Sequence, residues 1–242
     1  MNCIDWCAPI DAYCERAGPG FWAEPVNAAS NAAFVLAAAL AFVLWRRAGG
    51  SDRPALLLIG IVATVGLGSF LFHTFARKWS LLADALPIAA FTYGYFALAL
   101  RRYLRLGPVP VALGLAAFMA FNIGFVRIWT AMLGAGGADL TNSSIGYFPA
   151  ALAMLGVGAR LVIRAGGVRA DPGASPEEAG RVLLAAAAVF AVSLVFRSID
   201  LAVCSWWPLG THFAWHGLNA VVLYLLVRAA IVFPAREASG AR

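Results

Sequence analysis

The apolar residues gather into seven long stretches, roughly 27–45, 54–75, 80–100, 108–131, 145–163, 181–203 and 210–233. Each is close to the about 20 residues that a helix needs to cross the hydrocarbon of a bilayer. Short basic or Gly/Pro-rich connections separate them, such as Trp45-Arg46-Arg47-Ala48-Gly49-Gly50 and Arg105-Leu106-Gly107-Pro108. Only the 164–180 connection is longer and polar, with Asp171-Pro172-Gly173 and Ser175-Pro176-Glu177-Glu178. No internal repeat or low-complexity tract interrupts the series. The pattern predicts an all-α polytopic membrane protein, a seven-transmembrane helix bundle in one unit over 1–242. Residues 1–26 form an outer N-terminal segment and 234–242 a cytoplasmic tail.

Composition agrees with lipid as the solvent. Apolar residues make up 62% of the 242 and charged residues 12%, against roughly 45–50% and 25% in ordinary globular chains. That excludes a disordered chain, a nucleic-acid-binding module and a small disulfide-stapled domain. The net charge of +6 then reads as topology. Arg46, Arg47 and Arg53 follow the first span, Arg101, Arg102 and Arg105 the third, and Arg160, Arg164, Arg169 and Arg181 flank the connection after the fifth. The other side carries Arg16, Arg77 and Lys78, and its later loops have no basic residue. By the positive-inside rule the N-terminus lies outside and the C-terminus in the cytoplasm. Residues 1–26, acidic and broken by Pro9 and Pro19, do not read as a cleavable signal. The richness in Ala, Gly and Arg with a single lysine points to a GC-rich bacterial gene, and so to a bacterial inner membrane with the N-terminus facing the periplasm.

Cys3, Cys7, Cys14 and Cys204 all fall on the predicted outer side, where disulfides persist. Four cysteines allow two bridges in three pairings.

The chain has three histidines. His212 and His216, four apart at the start of the last span, share a helix face. His73 lies near the outer end of the second span, so all three sit at one depth. Three imidazoles without a thiolate suit zinc, leaving a fourth position open for water, the mark of a catalytic site. Asp84, in the otherwise apolar Leu81-Leu82-Ala83-Asp84-Ala85-Leu86-Pro87, falls at the same depth, and an ionisable residue inside a span is a functional candidate. Ser69 precedes His73 by one turn. Arg197 and Asp200 read as an i,i+3 ion pair. A retinal protein is excluded because Lys78 stands in an outer loop, and a transporter has only Asn122 and Arg127 of the fourth span to recommend it.

Together Ser69, His73, Asp84 and His212-x-x-x-His216 resemble the CREST superfamily of membrane hydrolases, and within it the alkaline ceramidases. Asp5-Trp6-Cys7, Glu24-x-x-Asn27-x-x-Ser30-Asn31, Leu86-Pro87 and Ile199-Asp200-x-x-x-Cys204 extend the resemblance along essentially the whole chain. It implies Zn2+ held by His73, His212 and His216 with a water, Asp84 holding and deprotonating that water, and Ser69 stabilising the intermediate. It implies a Cys7–Cys204 disulfide, which leaves Cys3 and Cys14 as the remaining pair. It also implies Ca2+ on Asp5, Trp6 (through its carbonyl) and Glu24. This chain has Ala8, Pro9 and Ile10 where the family has further acidic or amide ligands, with Asp11 and Glu15 as substitutes, and Ala85 replaces a second acidic residue. The expected activity is zinc-dependent hydrolysis of the amide bond of ceramide or another N-acyl lipid. The alternative is a receptor-like member of the superfamily with little or no turnover.

Overall fold

Helix boundaries follow local chemistry in the computed structural model, which describes residues 5–134, 141–165 and 175–233. The first span, Pro25–Arg47, is two helices, α1 (Pro25–Ser30) and α2 (Ala32–Arg47), interrupted at Asn31. Then come α3 (Arg53–Phe75), α4 (Lys78–Arg102), α5 (Pro108–Leu133), α6 (Phe148–Ala165), α7 (Pro176–Ile199) and α8 (His212–Val232). The Asp52 carboxylate accepts the Ala55 N–H (3.1 Å) and starts α3. The Ser175 hydroxyl accepts the Glu178 N–H (3.2 Å) and starts α7. Side-chain oxygens thus satisfy donors that have no partner inside the helix. The α7 cap lies in the stretch expected to be loop, so the sixth span begins at Pro176 rather than 181 and ends at Ile199 rather than 203. The other six expected spans match within a few residues.

All seven spans are long and apolar enough to cross a membrane. Phe34, Ala37 and Ala41 of α2 pack with Leu58 and Val62 of α3, Leu183, Ala186 and Phe190 of α7, and Ala220, Val227 and Ala230 of α8. Many of these are alanines, which lets helices approach closely, as membrane packing favours. Leu36, Leu57, Leu67 and Leu113 face outward, an arrangement that suits lipid. α5 is peripheral, with Phe118 its one fully buried residue. At the arginine-rich end Arg102 bonds both Asp52 carboxylate oxygens (2.7 and 3.1 Å) and the Ala230 carbonyl, joining α3, α4 and α8.

The N-terminal segment lies across the opposite end. Its backbone pairs with the α3–α4 turn: Ile10 N–H donates to the Ala76 carbonyl (2.8 Å), Lys78 N–H to Ala8 (3.3 Å) and Trp79 N–H to Trp6 (3.2 Å). Arg77 adds a bond to the Cys7 carbonyl. This pairing corrects the expected cystine. Cys204 is bonded to Cys14, with 5.4 Å between their α-carbons, and not to Cys7. Cys7 is held at the α3–α4 turn and takes part in a different disulfide. Cys14 reaches the α7–α8 connection because its N–H donates to the Asp200 carboxylate (3.0 Å). The expected Cys3–Cys14 pair falls with that finding; Cys3 itself and the 234–242 tail lie outside the described residues.

Candidate functional site

Asp200 positions the helix that carries two of the three histidines. It is fully buried, and its Oδ1 accepts the Thr211 (2.7 Å) and His212 (2.9 Å) N–H groups at the start of α8. Its other oxygen takes the Cys14 N–H, and the expected ion pair with Arg197 does not form. Arg197 instead bonds the Asn142 carbonyl and the Ser144 hydroxyl (3.1 Å), and it lies over the Tyr147 and Trp215 rings. Gly210, at φ +63°, makes the turn before α8; a Cβ there would stand 2.2 Å from Asp200 Oδ1.

The close approach of α3 and α4 brings their polar residues together. Pro87 lacks the N–H that would bond the Ala83 carbonyl, and this carbonyl faces Gly68, where a Cβ would come within 2.0 Å of it. Glycine alone fits. The next residue, Ser69, is thereby brought close to Asp84, and its hydroxyl lies 3.5 Å from His216 Nε2.

His73, His212 and His216 are buried to 1–2% exposure. One ring nitrogen from each lies within 4.8 Å of the others, a group suited to hold a metal ion. Asp84 stands beside it rather than in it. Neighbours fix the rings. His73 Nδ1 bonds Glu24 Oε2 (2.6 Å), and His216 Nδ1 bonds the Ser30 hydroxyl (2.7 Å), which itself donates to the Asn27 carbonyl (2.7 Å). With Nδ1 committed as donor, the Nε2 lone pair is directed to the centre, as in histidines that bind a metal through one nitrogen and are held by a partner on the other. His73 Nε2, His212 Nδ1 and Asp84 Oδ1 are buried without a hydrogen-bond partner. Such atoms are costly unless something binds them, so the donor set fits a metal.

Several contributors escaped sequence reasoning. Tyr13 stacks on His212 with ring centroids 3.7 Å apart, and burial pushes its phenol above the ordinary range, so it stays protonated. Ser30 is visible in the sequence only as part of Glu24-x-x-Asn27-x-x-Ser30-Asn31. Glu24, expected on calcium, is buried against His73, Arg16 and Asn27. Burial pushes its carboxyl up, but the hydrogen bond from His73, with the Arg16 charge and the Asn27 amide, outweighs this and holds it below its usual value. The other expected calcium ligands do not converge. Glu15 accepts the Val26 and Asn27 N–H groups (2.7 Å each) at the start of α1. Asp5, Trp6 and Asp11 are exposed, and the histidine trio is the one metal-suited group among the described residues.

Below the histidines an apolar cavity of about 100 Å³ runs between helices. Ile88, Thr92, Tyr95 and Ala99 line it on α4, and Trp215 and Leu226 on α8. Ile88 is one turn beyond Asp84. From Ile88 to Ala99 the helix rises about 16 Å, so the cavity starts about one turn past Asp84 and runs through the bundle toward the arginine-rich end of α4.

A comparison with curated proteins finds no match to the sequence. The sequence model of a family described as Ceramidase matches residues 4–239, nearly all of the chain. A buried histidine trio in a seven-span bundle is thus joined by a match running through every span, and the chain belongs to the ceramidase family.

Proposed function

We propose that this protein is a zinc-dependent amidohydrolase that cleaves the N-acyl bond of ceramide or a related lipid amide, releasing fatty acid and amine. The observation that carries this reading is the buried trio His73, His212 and His216, with unpartnered nitrogens on His73 and His212, in a chain of this family. Three imidazoles and no thiolate favour zinc with an open fourth position. Bound there, zinc would bring the pKa of a water toward neutrality and polarise the substrate carbonyl.

The chain's own residues supply the rest. Asp84, with a buried free Oδ1 beside the trio, accepts a proton from the attacking water and returns it to the leaving amine. The Ser69 hydroxyl donates to the carbonyl oxygen as it gains negative charge. Glu24 and Ser30 hold the His73 and His216 rings in place. The apolar cavity below the site receives a lipid chain and keeps water from it. The N-terminus and the site face outward, because the arginine-rich connections lie at the opposite end of the bundle. Exposed Trp6, Trp22, Trp206 and Trp207 at the site end match residues that settle at a membrane interface.

Purified protein incubated with a panel of ceramides and other N-acyl lipids tests the proposal. Fatty acid release by the wild type, abolished in His73→Ala and Asp84→Asn, is expected. Inactivity on every lipid with zinc bound would replace hydrolysis with the receptor-like reading.

A further inference from the structure

The outer segment is expected to offer oxygens to calcium, yet its two buried carboxylates, Glu15 and Glu24, are engaged elsewhere. Glu24 Oε1 pairs with the Arg16 Nε–H, and Oε2 accepts His73 Nδ1–H and the Asn27 amide (3.2 Å). Both Glu15 oxygens cap α1, and the Trp6 carbonyl accepts the Trp79 N–H. Calcium takes six to eight oxygens, and Asp5, Asp11, Glu15 and Glu24 form no metal-suited cluster among the described residues.

Arg16 holds the position instead. Its side chain is 4% exposed and meets oxygens from three parts of the chain. These are Glu24 Oε1, the Gly18 carbonyl (3.1 Å) and the His73 carbonyl (3.1 Å). We propose that Arg16 is the resident cation of this outer segment, taking the place beside Glu24 that calcium was expected to fill and setting the histidine site without calcium.

The chemistry favours this occupant. A guanidinium is permanently charged, and its planar fork of five N–H donors reaches several acceptors at fixed angles. One of them, the His73 carbonyl, belongs to the last turn of α3, the end of a helix that attracts cations. A single side chain thereby joins the N-terminal segment, the start of the first span and the end of α3. By holding Glu24 against His73 Nδ1 and bonding the His73 carbonyl itself, Arg16 is a positioning residue for that metal ligand. A calcium ion placed on the same carboxylate would be repelled by the buried guanidinium and would find too few free oxygens.

The calcium part of this inference is independent of the zinc reading; only the effect on metal affinity rests on it. Equilibrium dialysis of full-length, detergent-purified, zinc-loaded protein against millimolar calcium-45 is expected to show no stoichiometric binding, and thermal unfolding to be the same with and without calcium. One bound calcium per chain, or a melting temperature raised by calcium, would overturn the proposal. Arg16→Ala is expected to lose about tenfold in zinc affinity, measured by competition with a chromogenic chelator, the low end of effects seen when a ligand's supporting partner is removed. Millimolar guanidinium ion should restore part of that loss, which a general packing defect would not allow. Wild-type zinc affinity in Arg16→Ala would sink the positioning role. Should that variant fail to fold, Arg16→Lys decides: an ammonium keeps the charge but lacks the fork, so a measurable loss is expected and wild-type affinity would overturn the role. Failure of the zinc reading itself looks different, as a wild type without zinc.

Discussion

Asp200→Asn isolates the cap that orients the last helix. The carboxylate accepts three backbone N–H groups, from Cys14, Thr211 and His212. An asparagine that keeps its oxygen toward Thr211 and His212 turns its amide nitrogen toward the Cys14 N–H, donor against donor. One unsatisfied donor costs about 1–3 kcal/mol, and the two remaining bonds weaken as their acceptor loses its charge. A total of about 2–4 kcal/mol follows, against about 5–15 kcal/mol for the whole of a typical domain's stability. Asp200→Ala strands all three donors and costs about 3–9 kcal/mol. At about 2–4 °C per kcal/mol for a chain of this size, Asp200→Asn should melt at least roughly 4 °C lower in detergent. The loss is concentrated at the first turn of α8, so zinc content measured in the same samples should fall as His212 shifts. An Asp200→Asn protein that melts within about 1 °C of wild type and keeps its zinc would refute the assignment of Asp200 as the organiser of this end.

Gly68→Ala should lower both folded yield and hydrolysis, because its methyl group meets the Ala83 carbonyl, which cannot swing away as a side chain would; normal activity would mean that α3 and α4 have room to separate. Ser30→Ala removes the partner of His216 Nδ1 and should weaken zinc binding by about tenfold, read by chelator competition, with little change in melting temperature. A non-reducing peptide map should yield a Cys14–Cys204 cross-link; a Cys7–Cys204 peptide would restore the connection expected from the sequence. Zinc should be released on acidification, since each imidazole must be unprotonated to bind; occupancy independent of pH would argue against histidine ligation.

The spans were legible because lipid imposes long apolar blocks, and the histidines because two shared a helix face and the third ended a neighbouring span at the same depth. The α7 start was misplaced although Ser175-Pro176-Glu177-Glu178 is a helix-start signal; its polarity read as loop. What sequence did not reveal depends on contacts between distant segments. Glu15 caps a helix eleven residues away, Asp200 caps α8 from the preceding connection, and Arg16 entered only as a charge in the orientation count. Cys14 rather than Cys7 meets Cys204 because backbone pairing fixes residues 6–10 at the α3–α4 turn, and no spacing rule contains that pairing. Gly68 and Pro87 each looked like routine features of membrane helices; their joint role appears only where the freed Ala83 carbonyl meets α3.

Metal analysis by mass spectrometry on purified wild type and on His73→Ala, His212→Ala and His216→Ala tests the central claim most directly. One zinc per wild-type chain and its loss from each variant are expected. A wild type without zinc after purification in zinc-containing buffer, or variants that keep it in full, would contradict the claim that these three histidines form the metal centre of a hydrolase.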